Sequence, residues 1–273
     1  MKCGAIRTNA VGVVVPVHNE EELLGPALEA IARAFSEVVH RGIECRTAIV
    51  LDGCSDDSAT IARHWARSLA RLEGPHQSVV VRPRRAAGVG EARRLGAAIL
   101  LRKWRMLSPR NIWLATTDAD SRVPSGWLSA QVAAHELGAD VWTGRVTVDD
   151  WSLYGERTAR LWNEAYDAEQ MPVHGASLGF NAQMYLEAGG FASLGTGEDR
   201  ALHEAILAAG GCALEDLELR VITSGRRLAR APLGFAHALS SFDDDERDGE
   251  LVASRPAPLS AGATDPRAQP PEG

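Results

Sequence analysis

Two aspartates are the residues of this sequence best suited to chemistry. Asp118 and Asp120 stand in the segment Thr117-Asp118-Ala119-Asp120-Ser121, directly after the apolar residues 112–115, which predict a buried strand. Carboxylates at positions i and i+2 can hold Mg²⁺ or Mn²⁺ together with a polyphosphate, because these cations prefer carboxylate and phosphate oxygens. The alternative is a purely structural turn, since aspartate is common where a strand enters a loop.

Several predicted strands could deliver side chains to the same place. Residues 11–15 are a continuous run rich in valine, ended by Pro16, which is typical of a strand buried on both faces. Further strands are predicted at residues 47–51, 78–81, 112–116, 140–148 and 212–223. Helices are predicted at residues 20–34, after the 52–56 turn through about 70, from 88 to about 104, and at 124–137, 153–168 and 198–209. Asn19 is the expected N-cap of the first helix, and the glycine-rich stretch after residue 168 is expected to be irregular.

These elements predict a single α/β domain with a mostly parallel central sheet flanked by helices. Three successive strand–turn–helix units require parallel pairing with right-handed crossovers. Sheets of this kind bind ligands at the carboxyl ends of their strands, which is where Asp118 and Asp120 lie. The expected divisions are an N-terminal extension at 1–9, two halves of the domain at 10–125 and 126–240, and a disordered tail at 241–273.

Bulk properties exclude some classes of protein. A formal net charge of −7 over 273 residues argues against a nucleic-acid binder, whose surface should be basic. The four cysteines, Cys3, Cys45, Cys54 and Cys212, have no Cys-x-x-Cys spacing and are expected to be reduced thiols. No apolar run approaches the roughly 20 residues that span a bilayer. We therefore expect a cytoplasmic protein whose contact with any membrane is peripheral.

Four segments in order, at residues 11–22, 48–57, 112–124 and 195–202, resemble the nucleotide-sugar-dependent glycosyltransferases of the GT-A fold, specifically the large inverting family 2. The resemblance covers residues 10–240. It implies that residues 10–125 form the donor-binding half of the domain and that residues 126–240 form the acceptor-binding and catalytic half. It implies a Rossmann-like GT-A domain and a metal-dependent inverting glycosyltransferase. Such an enzyme moves a single sugar from a nucleotide diphosphate sugar to an acceptor, here of small or lipid-linked kind. It also implies Mg²⁺ or Mn²⁺ as the cofactor.

The resemblance assigns a donor site to residues that follow the predicted strands. The set expected to contact the nucleotide sugar is Pro16, Val17, His18, Glu20, Asp52, Gly88, Arg93, Thr117, Asp118, Ala119, Arg226 and Arg227. Within this set, Glu20 would accept a hydrogen bond from a ribose hydroxyl. The alternative is that Glu20 only stands at the start of a helix. Asp52 would contact the base or stabilise its turn, because Leu51 occupies the place of the acid that usually does so. Arg93 would face the phosphates or join a solvated helix face, and the Arg226–Arg227 pair would close over the pyrophosphate or stay in a solvated loop.

The same resemblance assigns the metal and the catalytic base. Asp120 would ligate the metal and Asp118 would contact the ribose or the metal, while His237 is a candidate third ligand. Asp199 would be the general base, supported by Glu198; alternatively these acids only match the dipole of a helix N-terminus. His174 is either an acceptor contact or a structural histidine. Sugar-stacking and packing roles are both open for Trp142, Trp151 and Trp162, and the Thr143-Gly144 pair fits a donor-sugar pocket.

Other functions remain open at this stage. A retaining GT-A transferase shares the donor half, although Val89 stands where retaining relatives often have lysine. A sugar-phosphate nucleotidyltransferase usually carries a glycine-rich first loop with Arg and Lys, which residues 17–20 lack. A non-catalytic nucleotide-sugar-binding protein is disfavoured by the joint presence of Asp118, Asp120 and Asp199. The Gln-x-x-Arg-Trp signature of processive synthases is absent from the sequence.

Overall fold

A seven-stranded sheet organises the protein. The computed structural model describes residues 6–71, 76–83, 86–148, 150–168, 173–227 and 235–247. Its strands, in the order β3-β2-β1-β4-β6-β5-β7 across the sheet, are β1 (Ala10–Val17), β2 (Glu44–Leu51), β3 (His76–Val81), β4 (Ile112–Thr116), β5 (Val141–Val148), β6 (Leu178–Asn181) and β7 (Ala213–Thr223). Strands β1 to β4 pair in parallel and β5 pairs in parallel with β7, while β6 is antiparallel to both β4 and β5. The predicted α/β fold with a mostly parallel sheet is confirmed.

Helices cover both faces of this sheet. They are α1 (Leu24–Val39), α2 (Ser58–Arg71), α3 (Val89–Lys103), α4 (Trp127–Glu136), α5 (Glu156–Ala168), α6 (Ala182–Glu187), α7 (Glu198–Ala208) and α8 (Phe235–Arg247). The central strand shows why its sequence is continuously apolar. Val13 packs in the core shared with α1, whereas Val14 packs in the core shared with α3. Alternate side chains of β1 are therefore buried on opposite faces.

The first helix begins later than predicted. Asn19 does not cap it, because its backbone takes the left-handed φ of 54° and its side chain accepts the Ser55 N–H at 2.8 Å. The Glu20 N–H donates to the Ser58 hydroxyl at 2.8 Å, so this residue also turns towards the second strand–helix unit. Helix α1 starts only at Leu24. The turns after β1 and β2 are thus joined by side-chain hydrogen bonds.

The segment predicted to be irregular contains an additional strand and helix. Strand β6 is only four residues long and carries Gly179, so it has no recognisable alternation of apolar and polar residues. A Cβ atom at Gly179 would overlap Gln131 and Trp113, which explains why glycine is required. Asn181 ends β6 and caps α6 by accepting the N–H groups of Gln183 and Met184.

The tail boundary predicted at residue 241 is wrong, because α8 continues to Arg247. Phe242 packs edge-on against Trp162 of α5, and the side chain of Asp243 is 1% exposed. Asp243 stands at the start of the acidic run, and the local sequence does not reveal that its side chain is buried. Residues 248–273 lie outside the described residues. The predicted extension also packs in part, since the Thr8 hydroxyl is buried against His135 Nδ1 at 2.8 Å.

Two further expectations concern membranes and thiols. No helix within the described ranges is long and apolar enough to cross a membrane. Cys45, Cys54 and Cys212 are free thiols, as predicted, whereas Cys3 lies outside the described residues. Burial raises the pKa of the Cys45 thiol to about 12, so this thiol is inert at neutral pH.

Candidate active site

Acidic and basic side chains converge at the carboxyl edge of β1 and β4. They come from the turns after these two strands, from the first turns of α3 and α7, and from the loop after β7. The five carboxylates are Glu20, Asp118, Asp120, Glu198 and Asp199, and the two guanidinium groups are Arg93 and Arg226. We call these seven side chains the edge cluster. Its carboxylates outnumber its guanidinium groups, which suits the binding of a cation.

Arg93 lies at the buried centre of the edge cluster. Its side chain is 4% exposed, and it forms ion pairs with Asp118 at 2.5 Å and with Glu198. Its Nε–H donates to the Thr116 hydroxyl at 3.1 Å. A Cβ atom on Gly175 would overlap the guanidinium, so that glycine allows the backbone to cover it. Arg93 therefore does not belong to a solvated helix face, and it joins β4 to the start of α7.

Asp118 is half-buried between positive and negative groups. Burial raises the pKa of Asp118 above its ordinary value, Arg93 opposes this, and the carboxylates of Asp120 and Asp199 raise the pKa further. These electrostatic influences mean that the Asp118, Asp120 and Asp199 carboxylates lie near one another. The Asp118 Oδ1 atom pairs with Arg93, whereas its Oδ2 atom accepts no hydrogen bond from the described residues.

Asp120 pairs with an arginine from the far end of the chain. Arg226 contacts the Asp120 carboxylate and also lies 2.8 Å from Glu20. Burial by itself would lower the pKa of Arg226, but Asp120 and Glu20 raise it above the ordinary value. The Ser121 hydroxyl donates to Thr223 Oγ1 at 3.0 Å, which fixes the end of β7 beside the aspartate turn.

Asp199 lies in the first turn of α7. The helix begins directly after Gly197, whose φ of 81° turns the chain into it. Its Oδ2 atom accepts the Gly175 N–H at 2.6 Å, and its Oδ1 atom accepts the Arg200 N–H at 2.8 Å. The side chain is partly exposed, whereas the adjacent Glu198 is buried against Arg93. Asp199 is therefore the acid of this pair that an acceptor can reach.

His174 lies behind Asp199 in a buried position. Burial lowers the pKa of His174 to about 4, while the Asp199 carboxylate acts in the opposite direction. Its Nε2 atom is 2.9 Å from the Tyr166 hydroxyl. A neutral histidine with a buried partner favours the structural alternative over direct acceptor contact.

Asp52 organises the loop that leads into α3. Its carboxylate accepts the N–H groups of Ala87 and Gly88, each at 2.9 Å, and Gly88 has a φ of 88°. The side chain of the residue is buried, and its carbonyl accepts the Nδ1–H of exposed His18 at 2.6 Å. Of the two alternatives for Asp52, the geometry supports the stabilisation of a turn. Pro16 is half-buried and Val17 is buried beside this turn.

Several predicted residues lie outside the edge cluster. Arg227 turns away from it, pairs with Asp243 and covers the Tyr154 ring at 4.7 Å, because α8 provides a buried carboxylate there. His237 is exposed on α8 and, among the residues that the structure describes, joins no group of metal-binding side chains. The buried residues Thr117, Ala119, Trp142, Thr143 and Trp162 are enclosed by the core, and Trp151 packs on Tyr154.

The side chains present fit a divalent cation that shares its ligands with a diphosphate. No three His, Cys, Asp or Glu side chains of the described ranges already form a metal cage. Mg²⁺ is commonly held by one or two carboxylates plus substrate phosphates, so a complete protein cage is not required. Asp118 and Asp120 provide the right oxygen donors, and Arg226 currently neutralises one of them.

Sequence reasoning missed Gly175 and the inward direction of Arg93. The signal for Gly175 was its place in a glycine-rich segment, but nothing local indicated which side chain it covers. Arg93 has two arginine neighbours on α3, Arg94 and Arg102, which are exposed. The buried ion pair with Glu198, 105 positions away in sequence, distinguishes Arg93 from these two exposed arginines.

Comparisons with known sequences identify the family of the chain. The family model for Glycosyl transferase family 2 matches residues 12–186. Uncharacterized glycosyltransferases from Mycobacterium bovis and Mycobacterium tuberculosis are each 34% identical over 138 residues, which is 50% of this chain and 49% of theirs. The chain spans about half the length of the curated relatives it matches.

Solved structures show the same fold. A mannosyltransferase from Pyrobaculum calidifontis, in complex with GDP-Man and Mn²⁺, has a TM-score of 0.61 at 17% identity, covering 93% of this chain and 67% of that chain. Residues 1–349 of S. aureus TarS in complex with UDP give a TM-score of 0.55 at 14% identity, covering 89% of this chain and 73% of that one. At these identities the likeness shows the fold alone, which confirms the predicted GT-A architecture.

Proposed function

Because the chain belongs to glycosyl transferase family 2, we propose that it transfers a single sugar from a nucleoside diphosphate donor to an acceptor hydroxyl with inversion. The observation that carries this proposal is the position of Asp199, a reachable carboxylate in the same edge cluster as Asp118 and Asp120. A base and a diphosphate site within one cluster are what transfer to an acceptor hydroxyl would require. The acceptor is a small or lipid-linked alcohol.

The donor side rests on the turns after β1 and β4. Asp118 and Asp120 would hold Mg²⁺ or Mn²⁺, which neutralises charge on the departing diphosphate. Asp52 shapes the 87–88 backbone next to the nucleotide through its two hydrogen bonds. The two solved structures named above carry a nucleotide diphosphate sugar and a nucleoside diphosphate, which supports this class of donor and leaves its base to experiment.

The acceptor side rests on Asp199. As the acceptor oxygen attacks the anomeric carbon, Asp199 takes the hydroxyl proton and the bond from that carbon to the diphosphate oxygen breaks on the opposite face. The electron pair of that bond leaves with the nucleoside diphosphate. The Gly175 N–H holds the carboxylate in place, and Glu198 acts through Arg93 as a positioning residue rather than on the acceptor.

The test first identifies a donor and then removes the base. Thermal-shift measurements with UDP, GDP and dTDP, each with and without Mn²⁺, select the nucleotide, since a bound ligand stabilises the folded protein by mass action. Asp199→Asn should then keep nucleotide affinity in calorimetry and lose about 10²–10⁴ in transfer rate. Glu204→Gln removes a charge from the exposed face of the same helix and serves as the matched control.

Three results would contradict the assignment. Near-wild-type transfer by Asp199→Asn would place the base elsewhere. Loss of both nucleotide affinity and transfer would make Asp199 part of the donor site. A product with the anomeric configuration of the donor, measured by NMR, would establish the retaining alternative.

A further inference from the structure

Arg226 occupies the position where a cation would be expected. Its guanidinium bridges Glu20 and Asp120, whose side chains are 7% and 12% exposed. The second hydrogen bond to Glu20, from Nη1, measures 3.1 Å. A single positive group from beyond β7 thus neutralises one carboxylate from the β1 turn and one from the β4 turn.

The backbone around Arg226 is anchored, although its guanidinium is held only at its tip. Arg122 and Ile222 exchange backbone hydrogen bonds of 2.7 and 3.0 Å, which join β7 to the aspartate turn. Gly225 fits against the Asp150 carbonyl, where a Cβ atom would overlap it. The Arg226 carbonyl accepts the Tyr154 hydroxyl at 3.2 Å. The backbone can therefore stay in place while the long side chain changes direction.

Arg226 differs in this respect from Arg93. The Arg93 side chain is 4% exposed and covered by Gly175, whereas the Arg226 side chain is 21% exposed at the rim of the edge cluster. Movement of Arg93 would leave Glu198 buried without its partner. Movement of Arg226, in contrast, would open Glu20 and Asp120 to a cation or water entering from the rim.

We propose that Arg226 is an internal counterion that competes with the divalent cation for Asp120, and that it transfers to the diphosphate when nucleotide and cation bind together. This inference rests on the proposed function. A guanidinium and a divalent cation cannot share the Asp120 carboxylate without strong mutual repulsion. A released guanidinium matches phosphate oxygens with bidentate hydrogen bonds. The exchange keeps the carboxylates neutralised in the free protein and makes cation binding depend on nucleotide.

Removal of the Arg226 charge should change the cation affinity of the chain in the absence of nucleotide. Calorimetry with Mn²⁺ alone should give about tenfold or tighter binding to Arg226→Ala than to the wild-type chain, since the wild type must first break charge-assisted hydrogen bonds. With Mn²⁺ saturating, the same variant should bind UDP or GDP, whichever gave the larger thermal shift, about fivefold or more weakly. Arg226→Gln, which keeps length without charge, should behave in the same way.

Arg220→Ala is the matched control. Arg220 lies on β7, and its side chain pairs with exposed Asp167 at 2.8 Å. Its removal takes one positive charge from β7, six residues before Arg226, without touching the edge cluster, so Mn²⁺ affinity should stay at the wild-type value. A tenfold gain in this control as well would reduce the effect to net charge and overturn the proposal.

The outcomes separate this inference from the proposed function. Equal Mn²⁺ affinity in Arg226→Ala, Arg226→Gln and wild type, with Mn²⁺-dependent transfer intact, overturns the counterion role alone. Absence of Mn²⁺ binding in every protein, with or without UDP or GDP, overturns both. Tighter Mn²⁺ binding accompanied by weaker nucleotide binding supports the exchange.

Discussion

Replacing Arg93 by methionine should destabilise the whole domain. The guanidinium is 4% exposed and its partner Glu198 is 3% exposed, so Arg93→Met leaves a carboxylate buried without a counterion. Breaking such a pair from one side costs about 3–5 kcal/mol. The lost hydrogen bond to the buried Thr116 hydroxyl adds about 1 kcal/mol or less. The loss of the ion pair with Asp118 adds less to the free-energy cost, because Asp118 is half-buried and water reaches it.

The size of the effect makes it easy to measure. For a domain of this length, 3–5 kcal/mol corresponds to a fall of about 6–20 °C in melting temperature. Urea unfolding followed by circular dichroism gives the free energy of unfolding directly. Arg94→Met is the matched control, since Arg94 is exposed and pairs with Glu91 within the same helix. It should leave the unfolding curve unchanged.

A double variant tests whether the loss comes from the unpaired charge. Arg93→Met with Glu198→Leu removes both charges, and about 1–3 kcal/mol of the loss should be recovered. If Arg93→Met unfolds like the wild type, or if the double variant is no more stable than the single one, the buried pair is not what joins β4 to α7.

Three further outcomes follow from the same geometry. Asp120→Asn should keep the fold and lose metal-dependent nucleotide binding, with a fall of about 10²–10³ in transfer rate; full activity in excess EDTA would contradict this. Gly175→Ala should lower both melting temperature and transfer rate because its Cβ overlaps the Arg93 guanidinium, whereas Gly155→Ala, whose Cβ would meet its nearest atom at 3.9 Å, should change neither. Burial lowers the pKa of His76 from 6.5 to about 4, so the unfolded chain binds the extra proton between these values. Stability should therefore fall as pH drops from 6.5 to 4, and His76→Gln should flatten urea midpoints measured across that window.

The convergence of the edge cluster was predictable because it follows from strand order. Parallel strands expose their carboxyl ends at one edge, so acids placed after β1 and β4 must meet. The valine-rich run of β1 and the apolar run of β4 are each long enough to be recognised. The position of Asp199 followed from family resemblance, since no local periodicity brings α7 to that edge.

What could not be predicted depends on contacts distant in sequence. Asp243 stands in an acidic run typical of a solvated tail, yet it accepts the Thr158 hydroxyl at 2.8 Å and pairs with Arg227. A chain ended at Phe242, inside the segment that the sequence predicts to be disordered, would therefore lose a buried ion pair. The direction of Arg227 was missed for the same reason, because its partner on α8 was assigned to the tail.

The two arginines of the edge cluster have different roles: Arg93 stabilises the fold, whereas Arg226 takes part in ligand binding. Arg93 is enclosed on every side, so its charge can only hold β4, Gly175 and α7 together, and no ligand can replace it without unfolding that junction. Arg226 neutralises Glu20 and Asp120 from the rim, where a cation can take its place on Asp120 and a diphosphate can accept its guanidinium. An excess of carboxylates over guanidinium groups leaves the cluster stable only while some positive charge is present. The strength of cation binding should therefore be set less by Asp118 and Asp120 themselves than by how readily Arg226 leaves Asp120.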